Sequence, residues 1–338
     1  MRITELHPDP AYERVLLAEE PAAGYRAIVA LHSSRLGPAV GGTRRWRYTD
    51  DDAALADALR LARGMSYKSA MAGLPMGGGK SVIFAEGETT SRAELFRAHG
   101  RLVESLAGRY ITAEDVGTSF EDMAFVRQET RYVAGLTDPS PVTARGVLRA
   151  LAAAARHRWH ADELGGRTVA IQGCGHVGAS LARQLAAAGA RLMVCDVNAA
   201  RAEACATATG ATVVAPDAIH AVSADVFSPC ALGGTINPDT IPQLRCEIVV
   251  GAANNQLASP EDADRLAARG ILYVPDYVAN AGGVIDGARD ICGWTAERST
   301  AAVEAIFDTT IDLLRGAERD GITPAAAADR LAEARLAP

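Results

Sequence analysis

Lysine is almost absent from this chain. Of its 34 lysine and arginine residues only two are lysine, Lys68 and Lys80, both within MSYKSAMAGLPMGGGKS. Aromatic residues are also few, 5% of the total, so aliphatic side chains must supply most of the core. Positive charge is not in excess. The formal net charge is -7, which gives no electrostatic pull toward nucleic acid or an anionic membrane. The longest apolar run, near residues 147–155, falls short of the roughly 20 residues that a membrane-spanning helix needs. The first residues, MRITELHPDPAYERV, lack a basic stretch followed by an apolar one, so no secretory leader is expected and the cytoplasm is the expected location. The six cysteines, Cys174, Cys195, Cys205, Cys230, Cys246 and Cys292, form no CxxC pair and no zinc spacing, and read as free thiols of a reducing compartment. His157 and His160 stand three apart with no further ligand nearby, so no metal site is expected.

What remains is an ordinary globular balance, 49% hydrophobic and 22% charged, in 338 residues, a length that suggests two domains. A proline-rich turn at residues 137–141 is the expected boundary. Before it, 24–34 and 41–48 read as strands, 51–65 as a helix capped by Asp, and 81–85 as a short strand. Residues 91–106 read as a helix whose Ser91 and Glu94 have capping-box spacing, and 109–113 as a strand ending at Glu114-Asp115-Val116-Gly117. After the boundary come a helix at about 142–157 and a strand–glycine turn–helix–strand unit at 167–198. Strand-like runs follow at 211–215, 224–230, 247–253 and 271–275, with a helical tail from about Thr300. This order predicts an α/β protein with an N-terminal domain (1–136), a doubly wound Rossmann domain (137–290) and C-terminal helices (291–338) returning to the first domain.

Gly173-Cys-Gly175-His-Val-Gly178 is a GxGxxG turn between a strand and a helix. Gly173 suits the tight turn, Gly175 the approach of a pyrophosphate, and Gly178 close helix–strand packing, with His176 and Val177 beside the phosphates at the helix N-terminus. Asp196 closes the second strand, where a carboxylate accepts hydrogen bonds from ribose and repels a 2′-phosphate, so NAD is expected over NADP. Ordinary turn glycines and a turn aspartate are the alternative reading.

GGGKS resembles the end of a P-loop, but that pattern needs glycine at position 74, where Leu74 stands. A better reason for two lysines in an arginine chain is titration. Arginine stays protonated, whereas a lysine amine can release its proton. The glycines beside Lys80 are expected to let backbone and substrate approach closely.

GGTRRWRY, ARGMSYKSAMAGLPMGGGKSVI, GRYITAEDVGTS, PSPVTARGV, SPCALGG, GAANNQL and PDYVANAGGVI resemble, in unbroken order over about 24–300, the Glu/Leu/Phe/Val dehydrogenase family, closest to its leucine, valine and phenylalanine branches. The resemblance implies oxidative deamination of an L-amino acid to a 2-oxo acid and ammonia with NAD, and a homo-oligomer built through the N-terminal substrate domain. It implies that Lys68 holds the α-carboxylate, that Lys80 is the catalytic amine and that Asp115 is the proton shuttle. Gly41, Gly42 and Met65 would line the substrate, with Asn254 and Asn280 near its polar end and the nicotinamide. Thr143, Ala231 and Ala252 would touch the cofactor. GLTDPSPVTA is shorter than the family's glycine-rich loop at that place.

The glutamate branch carries a lysine where Val40 stands, so a glutamate side chain would meet an apolar wall here. The resemblance maps the side-chain pocket onto Val40, Ala113, Val284 and Gly287. Valine at 40 and glycine at 287 leave more volume than leucine needs, and branched-chain and aromatic substrates both stay open. Gly287 as a helix-start glycine, Asp115 as a capping residue, and a catalytically silent NAD-binding protein are the competing readings.

Overall fold

The computed structural model describes all residues except 86–90, 136, 137 and 338. The expected boundary at residues 136 and 137, and with it part of the shortened loop, therefore lies outside the described residues. The chain divides into two compact units. One holds the N-terminal part of the chain, Asp290–Gly293 and the residues from Ala332 onward; the other holds Asp138–Arg289 and Trp294–Leu331.

The first unit is built on a mixed sheet of β1 (Arg2–Leu6), β2 (Arg14–Glu20), β3 (Tyr25–Ser33), β4 (Ala39–Trp46), β5 (Gly77–Phe84) and β6 (Tyr110–Glu114). The strand order is β1-β2-β3-β5-β4-β6. β1, β2, β3 and β5 pair antiparallel in succession, and β4 runs parallel to β5 on one side and β6 on the other. β1 and β2 are left unassigned by the sequence reading. β1 is an exposed edge strand with no fully buried residue to set a pattern.

Three helices cover the sheet: α1 (Asp51–Met71), α2 (Arg92–Ser105) and α3 (Phe120–Arg127). Ile28, Ala30, Val82 and Phe84 pack with Ala54, Ala58 and Ala62 of α1. On the other face Ala27, Val29, Leu31 and Ile83 pack with Phe96, Leu102 and Met123 of α2 and α3. Asp50 caps α1, accepting the Ala53 N–H at 2.8 Å, a bond worth about 1 kcal/mol. The helix runs six residues past its expected end at Met65, because SYKSAM holds no glycine or proline, and stops before Gly73 at φ +64°. Its last carbonyls are met by Arg335 Nη1, which donates to Ala70 O at 2.8 Å and Met71 O at 3.1 Å. Ser91 caps α2 as expected, accepting the Glu94 N–H, but the Glu94 carboxylate pairs with Arg97 rather than returning to the cap.

The second unit contains β7 (Thr168–Gln172), β8 (Arg191–Cys195), β9 (Thr212–Val213), β10 (Val226–Pro229), β11 (Ile248–Val249) and β12 (Leu272–Tyr273), all parallel in the order β12-β11-β10-β7-β8-β9. The chain reverses direction across the sheet at β7, the switch point at which doubly wound sheets bind nucleotides. The helices are α4 (Ser140–Trp159), α5 (His176–Ala187), α6 (Ala199–Thr209), α7 (Glu261–Ala268), α8 (Asp276–Ala279), α9 (Gly282–Cys292), α10 (Ala296–Glu304), α11 (Ile306–Asp320) and α12 (Pro324–Leu336). α10 and α11 pack on α4, tied there by Arg145 and Arg149 on Glu304. Within the segment 291–338 expected to return to the first domain, residues 291–293 and the chain from Ala332 cluster with the first unit, where Glu333 accepts from Tyr67 OH at 2.7 Å.

Candidate functional site

Neither lysine stands in a loop. Lys68 is in the last turn of α1, half-buried, with half-buried Met65 in the turn before it. Lys80 is the fourth residue of β5 and 5% exposed. β5 begins at Gly77, earlier than expected, because neighbouring atoms already fill the side-chain positions of its glycines. A Cβ on Gly77 would lie 1.9 Å from Ser33 O, on Gly78 2.0 Å from Ser66 N, and on Gly79 3.0 Å from the Tyr110 ring. The glycines bring α1 and β3 against the strand.

Asp115 directly follows β6. Its Oδ2 accepts from Lys80 Nζ at 2.7 Å and from Arg44 Nε at 3.1 Å. Burial pushes the carboxyl up, but Lys80 and Arg44 outweigh it and hold the group at about 2. The backbone of the turn is fixed separately, with the Asp115 N–H on Thr118 Oγ1 at 3.0 Å and the Thr118 N–H on Asp115 O at 3.0 Å. The Asp115 side chain thus serves the two cations first, with the Val116 backbone of the turn adding a smaller stabilisation of the carboxylate. Gly42 sits against it: a Cβ there would be 2.8 Å from Asp115 Cβ, and one on Gly41 1.8 Å from Gly79 O. Val40, buried, lies opposite Gly78 and Ile111, and Gly42 opposite Ala113. β5, β4 and β6 therefore gather Lys80, Val40, Gly41, Gly42, Ala113 and Asp115.

Behind these strands runs a buried polar network that the sequence reading missed. His99 of α2 bonds Tyr25 OH through Nδ1 at 2.9 Å and Thr43 Oγ1 through Nε2 at 2.8 Å. Thr43 also meets Ser81 at 2.8 Å and Thr112 at 2.5 Å. Tyr110 OH, 3.0 Å from Ser81 Oγ, donates to Gly41 O at 2.6 Å. Burial lowers His99 to about 3, so the ring is neutral. The network holds the Gly41 carbonyl and the side chain of Ser81, next to Lys80, from the face opposite α1.

In the second unit Gly173 takes φ +101° and packs on Ala231, whose N and Cβ lie 2.9 Å from its side-chain position. A Cβ on Gly178 would meet Gly173 O at 2.0 Å, whereas one on Gly175 meets nothing within 4 Å. The middle glycine alone is thus open, at the N-terminus of α5. A cavity of about 420 Å³ lies there, lined by Cys174, Gly175, His176, Ser180, Arg183 and Arg201 among others. Asp196 accepts the Cys174 and Asn198 N–H groups at 2.8 Å each, which fixes its carboxylate at the turn. Val197 next to it is 95% exposed, an apolar surface that an adenine ring could cover. Asn280, 4% exposed, donates through Nδ2 to Ala252 O at 3.0 Å and Asn254 Oδ1 at 2.9 Å. Its buried Oδ1 finds no partner among the described residues. An orphaned buried acceptor and an open glycine turn in the same unit fit a nicotinamide dinucleotide. Thr143, on α4, donates to Pro139 O and lies 2.7 Å from the side-chain position of Gly283.

Val284 and Gly287 share a face of α9, one turn apart and partly exposed. Gly287 is inside the helix and not at its start, and a Cβ there meets nothing within 4 Å.

Comparison with known families and proteins bears on both groups of residues. The model described as "Glu/Leu/Phe/Val dehydrogenase, dimerisation domain" matches residues 14–132, and "Glutamate/Leucine/Phenylalanine/Valine dehydrogenase" matches 193–328. The NAD binding domain of D-isomer specific 2-hydroxyacid dehydrogenases matches 142–236. Leucine dehydrogenase of Bacillus subtilis (strain 168) is 48% identical over 96% of this chain and 91% of its own. Valine dehydrogenase of Streptomyces coelicolor is 47% identical over 99% and 95%. The crystal structure of L-tryptophan dehydrogenase from Nostoc punctiforme superposes with a TM-score of 0.83 at 44% identity, covering 96% of both chains.

Proposed function

The chain belongs to the Glu/Leu/Phe/Val dehydrogenase family, and on that premise we propose how its residues divide the work. It is an NAD-dependent dehydrogenase of apolar L-amino acids: amino acid, NAD⁺ and water give the 2-oxo acid, ammonia, NADH and a proton. The observation that carries the assignment of roles is the 2.7 Å contact between Lys80 Nζ on β5 and Asp115 Oδ2 at the end of β6, made across the intervening β4.

Lys68 holds the substrate α-carboxylate, which fixes the Cα for reaction. Lys80, as the catalytic amine, takes the proton that the substrate ammonium gives up before hydride leaves and, then charged, stabilises negative charge on the oxygen of the water that adds to Cα after the hydride has gone. Asp115, ionised, takes that water's proton and returns it to the departing nitrogen. NAD, when bound, accepts the hydride from Cα. Asn280 Oδ1 supplies an acceptor for an N–H of the substrate or the carboxamide, and Asn254 orients Asn280. Gly173, Gly175, His176, Val177 and Gly178 hold the pyrophosphate. Asp196 holds the ribose, and Thr143, Ala231 and Ala252 contact the cofactor. On this reading the first unit takes the amino acid and the second takes NAD.

Val40, Ala113, Val284 and Gly287 set the side-chain preference. All four are apolar, which disfavours glutamate, and the open space at Gly287 supports substrates larger than valine. The match to a dimerisation domain supports a homo-oligomer, and the free cysteines Cys174, Cys195, Cys205, Cys230 and Cys246 support a cytoplasmic location. No described helix is long and apolar enough to cross a membrane.

Asp115→Asn tests the proton role. The expected result is a fall in kcat of roughly 100- to 10,000-fold with NAD affinity retained. Full turnover in that variant would show that the proton travels by another group.

A further inference from the structure

Asp115 is served by two cations of different chemistry. Lys80 Nζ and Arg44 Nε converge on the same oxygen, Oδ2, at 2.7 and 3.1 Å. Arg44 is itself held from behind. Its Nη1 donates to Asp57 Oδ2 on α1 at 2.9 Å, and the same Asp57 oxygen accepts Tyr48 OH at 2.7 Å. The outer oxygen, Asp57 Oδ1, accepts from Arg60 at 3.0 Å. Arg44 and Asp57 keep only 18% and 13% of their side-chain surface exposed. Among the described residues, the charged and titratable groups facing Asp115 are Lys80 from β5, Arg44 from β4, Tyr48 just after β4 and Tyr110 from β6. Those facing Arg44 are Asp115, Asp57 and Tyr48.

This arrangement solves a difficulty in the proposed chemistry, on which the inference rests. A lysine that takes part in proton movement changes charge, and whenever it is neutral a half-buried carboxylate beside it loses its counter-ion. Burial then favours the protonated acid, and Asp115 stops accepting protons. Arginine cannot follow lysine in losing its charge, and its planar fork can hold Asp115 with one nitrogen and Asp57 with another. We propose that Arg44 is a positioning residue for the reaction: anchored by Asp57 and Tyr48, it fixes the Asp115 side chain and keeps it a carboxylate whatever the charge on Lys80. Asp57, three turns before Lys68 on α1, is part of the device and touches neither substrate nor cofactor.

The test is the pH dependence of kcat/KM for amino acid oxidation in Arg44→Gln, Asp57→Asn and Asp115→Asn, with NAD affinity and thermal midpoint measured alongside. Arg44→Gln is expected to lower kcat roughly 10- to 100-fold and to move the acid limb of kcat/KM upward by about one pH unit or more, with NAD affinity retained. Asp57→Asn should move the limb the same way by less, and Arg44→Lys should recover part of the loss in Arg44→Gln. A merely structural role would lower the thermal midpoint and leave the acid limb in place. An unmoved limb in folded Arg44→Gln overturns the inference, and should that variant not fold, an unmoved limb in Asp57→Asn does so. If Asp115→Asn is itself fully active, the proton role of Asp115 fails and this inference with it. If Asp115→Asn is inactive and the limb stays put in the other variants, only the role of Arg44 fails.

Discussion

Gly78 and Ser66 touch so closely that a Cβ on the glycine would lie 2.0 Å from the Ser66 backbone nitrogen and 2.4 Å from its Oγ. The contact sets the spacing between β5, which carries Lys80, and α1, which carries Met65 and Lys68. Gly78→Ala must therefore push helix from strand. The expected cost is about 1–3 kcal/mol or more in urea unfolding, together with a raised KM for amino acid. Unchanged stability and KM would show that the helix is free to shift.

Lys80 and Lys68 should separate kinetically. Lys80→Arg keeps a cation but loses an amine that can give up its proton, so kcat should fall by several powers of ten, on the order of what general acid–base groups contribute, with NAD binding nearly intact. Lys68→Ala should instead raise KM for the amino acid. A change confined to NAD affinity in either variant contradicts the assignment.

Much of the site was legible because it is local in sequence. The GxGxxG turn, Asp196 and the strand leading to Asp115 each follow from a short pattern, and the scarcity of lysine singled out Lys68 and Lys80. The parts that were not legible are contacts between distant segments. The run of three glycines falls outside the strand expected at 81–85, because glycine disfavours strands. Only the positions of Ser33, Ser66 and Tyr110 explain why this strand requires it. Arg44 stood within a quoted motif, but its partners Asp57 and Asp115 come from a helix and a strand end that the sequence does not place beside it. His99 draws no reading from the sequence, and its four-strand network has no sequence signature at all.

That network has a pH consequence. His99 is fully buried, and burial lowers it from the ordinary value of 6.5 to about 3. Below pH 6.5 the unfolded chain binds a proton that the folded chain refuses, so stability is full above that pH and is lost as pH falls toward 3. The loss from this group is roughly 3 kcal/mol between about pH 6.5 and pH 4. Denaturant midpoints across that range should fall less steeply in His99→Gln than in the unmodified protein. Equal slopes would mean that His99 is protonated in the fold.

Gly287 offers a handle on substrate choice. A Cβ placed there meets open space, so Gly287→Val should fold normally and fill part of the side-chain pocket. With roughly 0.8 kcal/mol per buried methylene, an aromatic ring filling that space in the unmodified enzyme could gain one or two powers of ten in kcat/KM over valine. The substitution should shift preference toward the smaller branched substrates without altering NAD binding. An unchanged substrate ranking would place residue 287 outside the pocket.

The most direct test of the whole account is the rate of NADH formation by the unmodified protein with a panel of L-amino acids, glutamate included, and with NADP compared against NAD. The account predicts turnover with apolar L-amino acids, little with glutamate, and a strong preference for NAD set by Asp196. No NADH from any apolar amino acid, or glutamate as the preferred substrate, would contradict it.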